Sequence, residues 1–302
     1  MAMIFTKTGL LGSSVVQEKD FPALYQSTDQ LSKDRQGDFY RALGVNLFLL
    51  VCAALLSVIN IPHWSMAVLQ ALTLLGALGC SVFLATQRPE RFWYAGRAVA
   101  ESIKTLTWRY ISKAEPFDDG DDAAKEVFRR KIKAVFDQNR DIASVLTSHL
   151  DSPQISEEMS RLRSQSLEAR RAAYLEHRIE NQLAWYNAKA TSNARAAKWF
   201  FRLLIGVNVV AIILALVRIA FLTAPYWPTD VMVAAAASLL SWMQAKRYTE
   251  LSASYALTAF EIQFVREQSQ VEMTEQRFSS FVGDAENAFS REHTQWVARK
   301  DN

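Results

Sequence analysis

The sequence predicts an all-α membrane protein with four transmembrane helices in two hairpins, extended into a cytoplasmic helical bundle. Three observations predict it. Hydrophobic residues make up 50% of the 302-residue chain, yet they gather into long charge-free stretches that alternate with highly charged ones, so lipid-soluble and water-soluble parts are separate in sequence. Lys and Arg crowd one end of each stretch and are missing from the loop at the other. Elsewhere apolar residues recur three and four apart, and the period-two alternation of a strand is not evident.

The first span runs from Ala42 to Ile61, enough at about 1.5 Å per residue to cross a hydrocarbon core of about 30 Å. The bend is Asn60-Ile61-Pro62-His63-Trp64, and the second span, Ser65 to Thr86, follows directly. The third runs from Trp199 to Leu222. Its loop, Thr223 to Asp230, again carries proline and tryptophan and leads into a fourth span, Val231 to Gln244. That one is short, so it must begin near Pro228 or sit beside thinned bilayer. Arg35 and Arg41 precede the first span, Arg88, Arg91 and Arg97 follow the second, Arg195 and Lys198 precede the third, and Lys246 and Arg247 follow the fourth. The positive-inside rule places both termini and the middle segment in the cytoplasm. Trp64 and Trp227 then fall at the outer interface, and Trp93, Trp199 and Trp242 at the inner one. The N-terminus has no long apolar core of a cleaved signal peptide, so the first helix is expected to insert as a signal-anchor. Cys52 and Cys80 lie inside spans at different depths and are read as free thiols.

The spans are expected to continue as helices outside the membrane. After the second, Phe92, Val99, Ile103, Leu106 and Tyr110 keep helical spacing as far as Pro116. Phe117 to Asp122 is an acidic turn, and Ala123 to His149 reads as the next helix. From Ser156 there is no Gly or Pro until Gly206, which predicts one long helix running into the third span. Tyr248, Leu251, Tyr255, Thr258, Ile262 and Val265 continue the fourth, with Phe260, Phe264 and Val271 as a second apolar stripe. A helix apolar on two sides must be buried on two sides, in a bundle or between subunits. The chain divides into an N-terminal cytoplasmic segment (1–41), a first hairpin with its cytoplasmic helix (42–115), a cytoplasmic helical region (116–198) and a second hairpin with the C-terminal helix (199–302). Each half repeats the order helix, hairpin, aromatic-rich helix.

Each span carries one small or polar face: Asn46, Ala53, Ser57 and Asn60 on the first, Gln70, Thr73, Ala77 and Ser81 on the second, Asn208, Ala211, Ala215 and Arg218 on the third, Ala234, Ser238 and Ser241 on the fourth. Such faces suit either a water-filled pore in an oligomer or close helix packing. Arg218, near an outer end, either snorkels to headgroups or guards a pore mouth. Outside the membrane, Arg163, Arg170, Arg171 and Arg178 recur along one helix, with Arg129, Arg130, Lys131 and Lys133 on the preceding one. Together with Tyr174 and Trp185 they have the chemistry to hold phosphates and stack bases. Interleaved Glu168, Glu176 and Glu180 offer the alternative of surface ion pairs. From Gln87 to Lys198 there are 20 Lys and Arg against 16 Asp and Glu, a net of +4, too modest for electrostatics alone to make a strong nucleic-acid site. Scattered His63, His149, His177 and His293, and the lack of HExxH, paired CxxC or GxxxxGK[ST], give no support to catalysis. Gly9-Leu-Leu-Gly12 is too weak for a phosphate loop. Asp118, Asp119, Asp121 and Asp122 read as a solvated turn, and no cofactor or metal ion is expected.

Leu31-Ser32-x3-Gln36-x3-Tyr40 before the first span, with Trp93, Tyr94, Arg97, Glu101 and Trp108 after the second, resembles one type of SLATT domain, the two-transmembrane modules associated with SMODS nucleotidyltransferases and SLOG sensors. Arg178-x3-Gln182-x2-Trp185-Tyr186-x2-Lys189-x3-Asn193-x5-Trp199, with Tyr248, Leu251 and Tyr255, resembles a second type. The resemblance implies a bacterial inner-membrane effector of antiphage defence. It further implies a homo-oligomeric pore that responds to a nucleotide signal from a separate nucleotidyltransferase; in the Hailong-type arrangement the signal is a DNA oligomer that holds the channel closed.

Overall fold

A computed structural model describes residues 16–59, 61–269 and 273–298, with side chains as far as 289. Asn60, Val271, the side chain of His293 and the Gly9 to Gly12 segment therefore lie outside the described residues. Every regular element described is helical: α1 (Ala23–Ile59), α2 (Trp64–Gln87), α3 (Pro89–Ile111), α4 (Asp121–Gln138), a single turn α5 (Arg140–Ala143), α6 (Glu157–Arg163), α7 (Leu167–Tyr174), a π-helical turn (Leu175–Glu180), α8 (Asn181–Ala220), α9 (Thr229–Lys246), α10 (Tyr248–Gln268) and α11 (Glu275–Ala298).

Two compact units form. Of the described residues, one contains 16–29, 98–182, 262–269 and 273–298, the other 30–59, 61–97 and 183–261. The second holds the apolar helices. Three helical stretches among the described residues are long and apolar enough to cross a membrane: Ala23–Ile59, Trp64–Gln87 and the continuous Leu167–Ala220. Their apolar windows are only 6%, 11% and 0% buried by the rest of the chain. Surfaces such as Phe48, Leu72, Ile212 and Leu216 are left bare, so lipid or another apolar partner must cover them. The expected fourth span is α9. It begins directly after Pro228, as its shortness required, and its 18 residues extend about 27 Å. Asp230 and Lys246 near its two ends keep it apart from the three longer stretches.

Several expected continuities are broken, for local reasons. Arg88 adopts a left-handed backbone (φ 42°) and its amide bonds back to Leu84, closing α2 before Pro89 opens α3. Proline disfavours helical geometry in the residue before it, which puts the corner at Arg88. Arg247 repeats the device (φ 49°, amide to Met243) between α9 and α10. The helix expected from Ala123 to His149 ends at Gln138, and a loop occupies 144–156. The long helix expected from Ser156 is interrupted at Ser164–Ser166, where Ser166 caps α7 by accepting from the Ala169 amide, a preferred N-cap role for serine. Beyond that cap it runs 54 residues to Ala220. α1 exceeds expectation: its 37 residues begin well before the span, inside the segment read as a separate N-terminal piece.

Within the second unit α1 packs on α9, with the Gly44 backbone facing Trp242 and Ser238 donating to the Leu47 carbonyl at 3.4 Å. α8 packs on α10 through stacked Phe200 and Tyr248 and through Ser252, which donates to the Ala190 carbonyl at 2.9 Å. On α10 the stripe of Thr258, Ala259 and Ile262 is buried. Of the second stripe, Phe260 and Phe264 are 66% and 63% exposed, and Leu257 beside them is 62% exposed.

Candidate functional site

A cleft of about 370 Å³ opens in the first unit between α4, the start of α1 and the 143–154 loop. Helical spacing on α4 aims Arg129, Ile132, Lys133 and Phe136 into it. Ala23, Leu24 and Ser27 of α1 form the facing wall, and His149, Leu150 and Gln154 the third side. The loop is tied to α1: the Ala23 amide donates to the Pro153 carbonyl, the Leu24 amide to Gln154 Oε1 at 3.2 Å. Two exposed cations, one aromatic face and an apolar floor converge there, at the small end of the range for ligand pockets. Lys133 also bonds Asp137 at 2.7 Å. That hydrogen bond, with a second from Arg140, holds the Asp137 carboxyl below its usual range.

The structure separates the basic residues that sequence grouped. Arg129 and Lys133 line the cleft; Arg130 and Lys131 are exposed on α4 and do not line it. The stripe Arg163, Arg170 and Arg178 faces inward, each about 2% exposed or less, and its partners come from distant elements instead of the interleaved Glu168, Glu176 and Glu180. Arg163 donates to Asp121 at 2.9 Å, to the Tyr110 carbonyl at 2.6 Å and to the Asp119 carbonyl at 3.1 Å. This joins α6 to the start of α4 and the end of α3. Arg170 donates to the Ser112 carbonyl at 2.8 Å and pairs with Glu275. Arg171 donates to the Ser269 carbonyl.

At the centre lies a residue the sequence reading missed. Glu286 of α11 is completely buried and accepts four hydrogen bonds: from Arg178 Nε at 2.8 Å and its terminal nitrogen at 2.7 Å, from the Tyr174 hydroxyl at 3.0 Å and from Thr105 at 2.9 Å. The π-helical turn presents Arg178 to this carboxylate, with the guanidinium over the Phe289 ring. Burial opposes the charge on Arg178, and Glu286 more than restores it, holding Arg178 above the ordinary arginine value. Burial, then Glu286, pushes the Tyr174 phenol well up, so it remains a donor. The signal that could have found Glu286 is the apolar stripe Phe278, Val282, Ala285 and Phe289, whose 4, 3, 4 spacing makes a carboxylate beside it a candidate for burial.

Trp185 belongs to the second unit. Its ring meets Tyr255 edge-on at 5.5 Å, with Arg97 and Lys189 over it. Tyr40, Trp93 and Tyr94 likewise pack together, at 5.5 and 4.4 Å. Of the polar span residues, Ser238 faces α1 as a packing contact, and the Asn46 amide oxygen is buried without a partner. Thr73 and Asn208 turn back on the carbonyls of Leu69 and Leu204. Ser57, Asn208, Arg218 and Ser241 are exposed along their helices, and Gln70 is half-buried.

An all-α protein with membrane-spanning helices and a separate polar helical core is the class these features define. Residues 22–171 match the SMODS and SLOG-associating 2TM effector domain 3, and residues 174–296 match domain 1 of the same series. The chain belongs to the SLATT family, as two SLATT domains in tandem. No curated protein and no solved structure matches it. The two matched segments share the buried core, since Thr105 and Arg109 of the first bond to Glu286, Asn287 and the Gly283 carbonyl of the second.

Proposed function

We propose that this chain is a membrane effector of bacterial antiphage defence, in which several copies form an ion-conducting pore gated by a nucleotide or oligonucleotide from a separate nucleotidyltransferase. The composition of the cleft carries the reading. Phosphate oxygens suit Arg129 and Lys133, a base suits the Phe136 face, and Ala23, Leu24 and Ser27 belong to the helix that continues as the first span. A ligand drawing α4 toward that wall acts on a spanning helix with no intermediary. A second route starts at Asp121 of α4, runs through Arg163 to α3, and from Thr105 of α3 through Glu286 to Arg178, whose helix continues as the third span. Arg163, Arg170, Arg171, Arg178 and Tyr174 thus act as the frame of the site, and Arg129 and Lys133 as its ligand contacts. α9 is the fourth span, both termini are cytoplasmic, and Asn208, Ser241 and Arg218 are the leading pore-facing residues.

The test is ion flux through liposomes holding the purified full-length protein, with and without candidate nucleotides. A nucleotide-dependent change in flux, in either direction, that disappears in R129E/K133E is expected. Absence of flux under all conditions overturns the pore. The exposed stripe of Leu257, Phe260 and Phe264 favours a second reading, a non-conducting scaffold that recruits a cytoplasmic protein. A stoichiometric protein partner, together with toxicity unchanged by N208L/S241L, would support it over the pore.

A further inference from the structure

α10 has two apolar faces, and the chain covers one of them. Thr258, Ala259 and Ile262 are buried. On another side Ala253, Leu257, Phe260 and Phe264 follow one another at spacings of four, three and four, and all four are exposed. This alternation is the seam of a coiled coil, which a second helix of the same spacing closes by setting its side chains into the holes between these. Lipid does not suit the face. Glu250, Glu261 and Glu267 are exposed along the same helix, and α10 is not among the stretches long and apolar enough to cross a membrane. Carboxylates are costly in a hydrocarbon core and are repelled by an anionic membrane surface.

Spacing and charge select the partner. A foreign protein would have to bring a matching seam, whereas every second copy of this chain carries it. With Leu257 and Phe264 at a positions and Ala253 and Phe260 at d positions, the flanking e and g residues are Thr249, Ser254, Ala256, Glu261, Gln263 and Gln268. A parallel copy in the same register sets Thr249 against Ser254, Ala256 against Glu261 and Gln263 against Gln268, so no like charges are opposed. An antiparallel copy centred on Phe260 brings the two Glu261 side chains together instead. We propose that α10 pairs in parallel with α10 of a second copy through Ala253, Leu257, Phe260 and Phe264. Two phenylalanines and a leucine per copy fall short of the roughly 800 Å² per partner that a stable interface buries. Other surface, such as the bare faces of the spans, therefore shares in the contact. The inference rests on the several copies proposed above, and on neither conduction nor a nucleotide.

Oxidative cross-linking of the full-length chain in membranes, in a C52A/C80A background, tests this without reference to ion flux. A253C should give a disulfide-linked pair, because parallel register sets residue 253 of each copy against its equivalent. R130C, at an exposed position of α4, should not. L257Q/F260Q, both changes at exposed side chains, should weaken self-association in detergent at least tenfold, read by mass photometry, at an unchanged melting temperature. The next seam position sets Glu267 against Glu267, so E267Q should tighten association about twofold. An A253C chain that stays monomeric under oxidation overturns the proposal, whether lipid, a foreign protein or another segment of this chain covers the stripe. Self-association unchanged in L257Q/F260Q also overturns it, and leaves standing a pore assembled by the spans alone. A wild-type chain that does not self-associate at all removes the pore together with the seam.

Discussion

Replacing Glu286 by leucine removes the acceptor of four hydrogen bonds, three of them buried, and strands a guanidinium that is 1% exposed. Breaking a buried ion pair from one side costs about 3–5 kcal/mol, because the remaining charge is left without compensation. In a cooperative unit of about 150 residues, each kcal/mol lowers the melting temperature by about 2–4 °C. E286L should therefore unfold about 6–20 °C below the wild type, read by intrinsic tryptophan fluorescence in detergent. Trp108, buried against Tyr174, is a reporter within that core. R178M/E286L removes both charges and leaves chiefly the Tyr174 hydroxyl unsatisfied, worth about 1–3 kcal/mol, so the double variant should melt above E286L. Arg178 and Glu286 are coupled, and the double-mutant cycle measures that coupling. If the two single losses simply add in the double variant, or if E286L melts within 2 °C of wild type, at most about 0.5–1 kcal/mol on the same scale, the network does not hold the core together.

Asp137 competes with any anion for Lys133, so D137N should tighten nucleotide binding at the cleft by a factor of about two, the scale of an exposed helix pair, measured by calorimetry. The hydrogen bonds from Lys133 and Arg140 lower the folded-state pKa of Asp137. Its contribution to stability is thus present above the ordinary carboxylate range and lost as pH falls through the lowered value. Over that same interval Lys133 is released, and anion binding should strengthen in the wild type but not in D137N. R88G relieves a left-handed backbone that costs a non-glycine residue about 1–2 kcal/mol while adding about 0.5–1 kcal/mol of glycine entropy, so thermal unfolding should show it equal to wild type or more stable by at most about 1.5 kcal/mol. S238L, at the contact with the Leu47 carbonyl, should lower the melting temperature, whereas N208L, on an exposed helix face, should alter conductance at an unchanged melting temperature.

The membrane helices were legible because charge-free length and flanking cations are local properties, and so were the starts of α4 and α9. The arginine stripe was legible as a stripe but not as an inward one. Its partners Asp121, Ser112, Glu275 and Glu286 lie 42 to 108 residues away, whereas spacing reveals only neighbours on the same helix. The cleft followed the same rule: Arg129 and Lys133 could be read as a pair from helical spacing, but the wall of Ala23, Leu24 and Ser27 comes from more than 100 residues earlier in the chain. Glu286 went unread because charged residues are taken as solvated by default, a default that fails where a carboxylate shares an apolar helix face with four buried hydrophobic residues.

Arg88 and Arg247 bear on how a signal can cross into the membrane. Both follow the outgoing helix of a hairpin, and both take the left-handed geometry usually left to glycine. In the proposed topology the position must turn the chain and also carry a positive charge at the inner interface, and arginine meets both demands at a backbone cost of about 1–2 kcal/mol. The result is a corner, so α3 and α10 do not extend α2 and α9 as rigid rods. The incoming helices have no such corner: α1 runs unbroken for 37 residues, and the third span is part of a continuous 54-residue stretch. In the proposed gating, the cleft wall and Arg178 each lie on a helix that continues without a break toward the first and third spans. Conducting variants that alter gating should accordingly cluster on α1 and α8, and an insertion of one alanine after Arg88 should disturb gating far less than the same insertion after Gln30.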